Sequence, residues 1–402
     1  MSLINSTLTS IKNRRQKIID GGINCIPSPF VRFRSEFPGI EQGQYITVTA
    51  STKGAKSQFS YFTMVFEPLL YAYNTGNVDL KYIIFPLEET PERITQRFMS
   101  YLLCKLSNFQ LRVSPSELRS TTGALSEKVI ETLESEAYQD ILRYYEEHVI
   151  FSTESNPTGI YKFCKKYAEE NGTIEYTTYK IKDEFGIEQE VKGFKSYTPN
   201  NPNEYVIGMI DTLNLVDTER GLTLKQSMDK MSEYAAKYLR NRYNMTFIAI
   251  QQQSVESENN DAYKIGKIRP SVASLGDTKY SARDSQITLG LFSPFKHGLQ
   301  EYLGYDITKF KDNIRFLEVL TNRDGNMGGI VALLFDGATC QFSELPKPDD
   351  KENMKQVYSY IDTRIRKKPS YSFILFSNNI NKSVRGLHKW NPLSIFAKYK
   401  RK

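Results

Sequence analysis

The apolar positions of this 402-residue chain follow two different periods. Short apolar runs at 45–49 (YITVT), 79–89 (DLKYIIFPLEE), 204–216 (EYVIGMIDTLNLV) and 245–253 (MTFIAIQQQ) are rich in β-branched and aromatic residues. They have the length of strands buried on both faces. Between them lie segments whose charged residues interleave at helical spacing: 57–72, 91–106 with Pro91 in its first turn, 126–148 and 222–244. This alternation, running from residue 45 to about 292, predicts an α/β fold with a mostly parallel central sheet covered by helices on both faces. The runs DSQITLGLF, IRFLEVLTNR and GGIVALLFDG predict further strands near the C-terminal edge. Residues 172–203 break the rhythm. They alternate in period two and contain a Gly-bearing turn at Asp183–Gly186, which predicts a surface β-hairpin insertion. Residues 1–20 read as a short helix with a basic patch, and Gly and Pro then break it. We therefore expect a leader at 1–30, a main domain at 31–345 and a separate tail at 346–402.

Ligands of such sheets bind beyond the carboxyl ends of the strands. Polar groups collect at those ends here: the loop after 45–49, Glu88 and Glu89, Asp211, and Gln251 to Gln253. The loop reads TASTKGAKSQ. It is similar to the phosphate-binding pattern G-x-x-x-x-G-K-[ST], with Lys56-Ser57 as its ending. Ala50 and Ala55 occupy the two glycine positions, and Gly54 stands one residue early. Alanine is costly there only where φ is positive, and we expect Gly54 to take over the sharp turn.

Hydrolysis of a nucleoside triphosphate needs few parts, and one candidate exists for each. Backbone N–H groups of Ser51, Thr52, Lys53, Gly54 and Ala55 would hold phosphate oxygens. Lys56 would reach the β/γ-phosphates, and Ser57 with Asp211 would hold Mg²⁺. Glu88 would orient the attacking water. Taken singly, Asp211 could cap a turn, Glu88 could be a surface carboxylate and Gln252 a polar strand end. It is their common position at strand ends, in this order, that favours the functional reading.

Charge changes the picture at one end only. Residues 351–402 carry thirteen Lys/Arg against two Asp/Glu, whereas the rest of the chain is slightly acidic. Such a tail suits a polyanion such as nucleic acid, or an acidic partner. No apolar run approaches the ~20 residues of a membrane span. Four dispersed cysteines and three histidines argue against zinc sites and disulfides, which makes a reducing cytoplasm the expected setting.

With these residues in place, residues 20–345 resemble the RecA-like ATPase domain of the DnaB-type replicative helicases. FPLEETPERITQRF is similar to the family block S-L-E-M…R, which implies a catalytic role for Glu88 and a nucleotide-site role for Arg97. VIGMIDTLNLV is similar to the strand bearing the metal-side aspartate, here Asp211, and MTFIAIQQQ to the strand ending in a sensor glutamine, here Gln252. SLGDTKYSARDSQITLGLF resembles the loop that faces single-stranded DNA, which implies DNA contacts by Lys279, Tyr280 and Arg283. VLTNRDGNMGG resembles the segment of the arginine finger, here Arg323, which reaches a neighbouring subunit's nucleotide.

The resemblance implies a three-layer αβα sandwich and an ATP- and Mg²⁺-dependent helicase or translocase. It further implies a head-to-tail homo-oligomer, a hexamer in the family. Several positions depart from the family pattern. Besides Ala50 and Ala55, Thr321 replaces a lysine beside the arginine finger, and Gly276 replaces an arginine of the DNA-facing loop. The short leader leads us to expect a phage-type member without the family's N-terminal collar domain, its basic tail docking a primase or polymerase or binding DNA. Two alternatives use the same residues: a RecA-type recombinase forming filaments on DNA, and a nucleic-acid-binding subunit whose site has decayed.

Overall fold

A computed structural model describes residues 2–121, 123–182, 188–254 and 268–366. The basic residues beyond 366, to which DNA or partner docking was assigned, and the hairpin turn at Asp183–Gly186 lie outside them. The predicted strands are all present. They join a nine-stranded sheet, numbered here along the chain: β1 (Tyr45–Ala50), β2 (Leu80–Pro86), β3 (Val149–Phe151), β4 (Tyr205–Asp211), β5 (Thr246–Gln252), β6 (Ile287–Phe292), β7 (Ile314–Asn322), β8 (Ile330–Asp336) and β9 (Gln341–Glu344). Their spatial order is β9-β8-β7-β6-β1-β5-β4-β2-β3. The pairings from β6 through β1, β5, β4 and β2 to β3 are parallel. Those joining β6, β7, β8 and β9 are antiparallel. β1 thus lies near the middle, flanked by parallel neighbours on both sides.

The period-two pattern of each central strand divides its side chains between two cores. On β1, Ile46, Val48 and Ala50 enter the larger cluster, whereas Tyr45 enters the second. On β5, Ile248 and Ile250 face the first cluster, and Phe247 and Ala249 the second. Helices 56–75, 91–106, 127–134 and 136–148 close the first face with Phe59, Phe62, Phe66, Phe98, Tyr101 and Tyr145. Each such buried ring contributes roughly 1.5–3 kcal/mol. Helix Pro157–Glu170 and the stretch 224–243 close the second face with Ile160, Cys164, Met228, Met231 and Leu239. The result is the expected three-layer αβα sandwich.

Some details differ from the sequence expectation. The single helix expected over 126–148 is two, Glu127–Glu134 and Glu136–His148. Ser135 between them is extended (φ −63°, ψ 141°), and its hydroxyl bonds back to the Thr132 carbonyl. This is the competition for backbone groups that makes serine a boundary residue. Strand β3 and helix Pro157–Glu170, which the pattern did not single out, extend the sheet and cover it. The insertion is a hairpin, with Gly172–Lys182 pairing antiparallel to Glu188–Pro199. The first part of the segment read as a tail forms helix Lys351–Tyr360 and its continuation. Met354, Val357, Ile361 and Ile365 there enter a third cluster with Phe292, Tyr305, Phe310 and Phe316. The leader forms helix Leu3–Ile19, with no buried residue.

Candidate active site

The carboxyl ends of β1, β2, β4 and β5 bring the strand-end polar groups together. The chain leaves β1 at Ala50, turns through Ser51–Ala55 and enters the helix that starts at Lys56. The first amides of a helix have no acceptor within it, so they face whatever lies in the loop. Lys56 is 8% exposed, and its Nζ lies 2.8 Å from Glu88 Oε2. The Ser57 hydroxyl donates to Asp211 Oδ1 at 2.9 Å. Gln252, at the tip of β5, donates from its side chain to Thr52 Oγ1 at 2.6 Å. The Asp211 carbonyl accepts from the Leu87 and Glu88 amides at 2.7 and 2.9 Å, which ties the end of β4 to the segment that carries Glu88.

Burial dominates the electrostatics of Asp211, which is 1% exposed. Its carboxyl is pushed from the ordinary 3.8 up to about 6, chiefly by desolvation. Lys56 and the Ser57 hydrogen bond oppose that rise, and Glu88 adds to it. The site therefore holds more negative charge than its own cation neutralises.

The donor set fits a nucleotide with Mg²⁺. Among the described residues, no group of three His, Cys, Asp or Glu is placed to hold a metal alone. Ser57 Oγ and the Asp211 carboxylate are hard oxygens of the kind Mg²⁺ accepts, and it usually shares such a pair with phosphate and water. The backbone also fits. A Cβ at Gly54 would stand 2.8 Å from the Ser51 carbonyl and 3.0 Å from Ala50 Cβ, so only glycine permits this tight return.

The turn itself corrects the sequence expectation. Gly54 does not take the left-handed conformation. Lys53 (φ 57°) and Ala55 (φ 70°, ψ 27°) do. The loop thus keeps left-handed geometry where alanine stands in the glycine position, at a cost of about 1–2 kcal/mol for each such residue.

Arg97 is engaged elsewhere. Its guanidinium binds the Glu89 carboxylate at 2.6–2.8 Å and lies 5.8 Å from the Tyr61 ring centroid. Arg323 is at the opposite end of the sheet. Its amide donates to the Gln286 carbonyl at 2.9 Å, and the Gln286 amide donates to the Tyr45 carbonyl at 2.8 Å. Arg323 therefore sits beside the start of β1, whereas the loop begins past its end. Six strand residues, or roughly 20 Å, separate the two. Lys279, Tyr280 and Arg283 flank the short helix Tyr280–Asp284 on Arg323's side. The Arg283 guanidinium stacks 3.5 Å from the Tyr280 ring centroid, and Arg323 donates to the Arg283 carbonyl.

Several residues that matter here were not among the candidates. Asn214 accepts from the Gln252 amide at 2.7 Å and donates to Asp277 at 2.8 Å. The buried Gln251 donates to the carbonyls of Gly276 and Thr278, both at 2.7 Å. Together they tie the tip of β5 to the segment before Lys279. Lys296 and Arg315 reach the loop from outside: Lys296 Nζ donates to the Thr52 carbonyl at 2.6 Å, and Arg315 Nε to the Gly54 carbonyl at 3.2 Å. A charged residue at a buried position of the apolar run IRFLEV was the one visible signal for Arg315.

A nine-stranded sheet with a phosphate-type loop at its centre and acids on neighbouring strand ends is the architecture of a RecA-like ATPase domain. Solved structures narrow this fold. The ATPase domain of the phage G40 protein superposes with a TM-score of 0.57 at 15% identity, covering 85% of this chain and 98% of that one. A DnaB-like replicative helicase, solved with attention to its interactions with primase, superposes with a TM-score of 0.57 at 16% identity. That match covers 85% of this chain and 66% of the other. The chain therefore has the fold of a DnaB-type helicase ATPase domain, as the sequence resemblance implied. No protein-family model matches the sequence. No curated protein matches it either.

Proposed function

We propose that the protein is an ATP-driven motor of the DnaB type, acting on single-stranded DNA as a head-to-tail ring. One observation carries this reading: Lys56–Glu88 and Ser57–Asp211 meet at the carboxyl ends of adjacent parallel strands, beside a loop that opens a helix. In this reading the amides of Lys53 to Ser57 hold the phosphates, and Lys56 leaves Glu88 to neutralise their charge. Ser57 and Asp211 would hold Mg²⁺, which when bound neutralises phosphate charge and polarises the transferred group. Glu88, released from Lys56, orients a water and accepts its proton. Gln252, held between Thr52 and Asn214, positions the loop's outer edge and links it to the segment before Lys279.

The placement of Arg323 supports assembly. It lies at the other end of β1 from its own loop, so it can serve only a neighbour's nucleotide. Repeating that relation head to tail gives a ring or filament. Tyr280 and Arg283, paired and exposed on the same side, supply a ring face and a cation suited to single-stranded DNA. Among the described residues, no helix is long and apolar enough to cross a membrane. The basic residues past 366 serve in this reading as a dock for DNA or for a primase or polymerase.

The test is steady-state ATP turnover of the full chain with and without single-stranded DNA. Mg²⁺-dependent turnover stimulated by DNA and abolished by Lys56→Ala supports the reading. Equal background rates in wild type and Lys56→Ala would instead assign the chain a non-hydrolysing role.

A further inference from the structure

We propose that Lys296 and Arg315 are positioning residues of the phosphate loop. They are two cations behind it that hold the shape its missing glycines would otherwise permit. This rests on the loop being the nucleotide site.

The two contacts fall on alternate peptides. Lys296 holds the carbonyl of Thr52, and Arg315 that of Gly54. In a trans peptide the C=O and the following N–H point in opposite directions. Both peptides are trans, so anchoring these carbonyls turns the amides of Lys53 and Ala55 to the opposite side of the loop. Lys53 and Ala55 are also the loop's two left-handed residues. Each cation therefore fixes the peptide just before a residue whose conformation L-side chains rarely adopt. Pulling on the carbonyl oxygen also polarises the peptide and makes its N–H a stronger donor.

Arg315 is built for this task rather than for packing. It is 1% exposed on strand β7 and stacks 4.5 Å from the Phe335 ring centroid. Its remaining donors go to the carbonyls of Asp312 and Ile314, both at 2.8 Å, and to Asp312 Oδ1 at 2.9 Å. A buried guanidinium is costly to desolvate, and an apolar side chain would fill the same space more favourably. Lys296 comes from the turn after β6, a separate element, so two parts of the sheet converge on one short loop.

The test uses the full chain with four sets of substitutions: Lys296→Met, Lys296→Met with Lys53→Gly, Arg315→Lys, and Arg315→Lys with Ala55→Gly. Arg315→Lys keeps the buried charge but loses the fork, and Lys296 is exposed enough to substitute without harm to the core. Two quantities are read: the Kd of a slowly hydrolysed ATP analogue by calorimetry, and amide hydrogen exchange of the loop in nucleotide-free protein. Each single substitution is expected to weaken binding about tenfold. It should also speed exchange at 52–57 and leave β5 unchanged. The paired glycine should return affinity to within about twofold. Unchanged affinity and exchange in both single variants would overturn the proposal. So would a loss that glycine does not restore, since Lys296 would then be a direct phosphate contact and Arg315 only a core residue. If the wild type binds no nucleotide, the reading of the site fails, and the exchange measurement still decides the clamp.

Discussion

Asp211→Asn should stabilise the nucleotide-free protein while destroying its function. The Asp211 carboxyl titrates near 6 in the folded chain against an ordinary 3.8, so ionising it works against folding. The sign follows from linkage: the folded state binds more protons than the unfolded one between those two values, and stability falls as pH rises through that window. The penalty is absent below about pH 4 and complete above about pH 6. About two units correspond to on the order of 3 kcal/mol, already net of the help from Lys56 and Ser57. Asparagine keeps an oxygen for the Ser57 hydroxyl and removes the charge. Urea unfolding followed by circular dichroism, without Mg²⁺ or nucleotide, should show the variant about 2–3 kcal/mol more stable at pH 7.5 and nearly equal to wild type at pH 4.5. Turnover should be lost, as expected when a site stores destabilising charge for its ligand. Destabilisation at pH 7.5, or a difference independent of pH, would refute the account of this carboxylate.

Other consequences concern the loop, the acid and the DNA face. Glu88→Gln should retain nucleotide binding, measured by calorimetry, and lower turnover by about 10²–10⁴-fold; an unaltered rate would remove Glu88 from the chemistry. Ala55→Gly relieves left-handed strain of about 1–2 kcal/mol, offset by glycine's larger unfolded-state entropy of roughly 0.4–1 kcal/mol. A rise in thermal stability of about 1–3 °C is expected, and a fall would mean that the loop relaxes to another turn. Tyr280→Ala should weaken single-stranded DNA by about 1–3 kcal/mol with little change in salt slope, whereas Arg283→Ala should lower the slope by about one unit.

Much of this was legible before the fold was seen. The parallel strands announced themselves as apolar runs, and Lys56, Ser57, Glu88, Asp211 and Gln252 stood out because each ends or follows such a run. What escaped detection depends on quantities a sequence does not carry. The left-handed turn at Ala55 is a torsion, and the nearby Gly54 pointed to the wrong residue. Lys296 and Arg315 reach the loop from strands at the antiparallel edge, more than 200 positions along the chain, and only the packing of β6 and β7 beside β1 joins them to it. The role of Arg323 was suggested by its segment alone. Its separation from its own loop needed the register of β1, β6 and β7.

A site completed by a neighbouring copy is the central claim, and one measurement bears on it most directly. Lys56→Ala and Arg323→Ala chains, each inactive alone, are co-expressed under different tags and purified as mixed oligomers. Steady-state ATP turnover of the mixture should recover to roughly a quarter of the wild-type rate, because one junction in four pairs an intact loop with an intact arginine. Mixed oligomers as inactive as either parent would contradict the account.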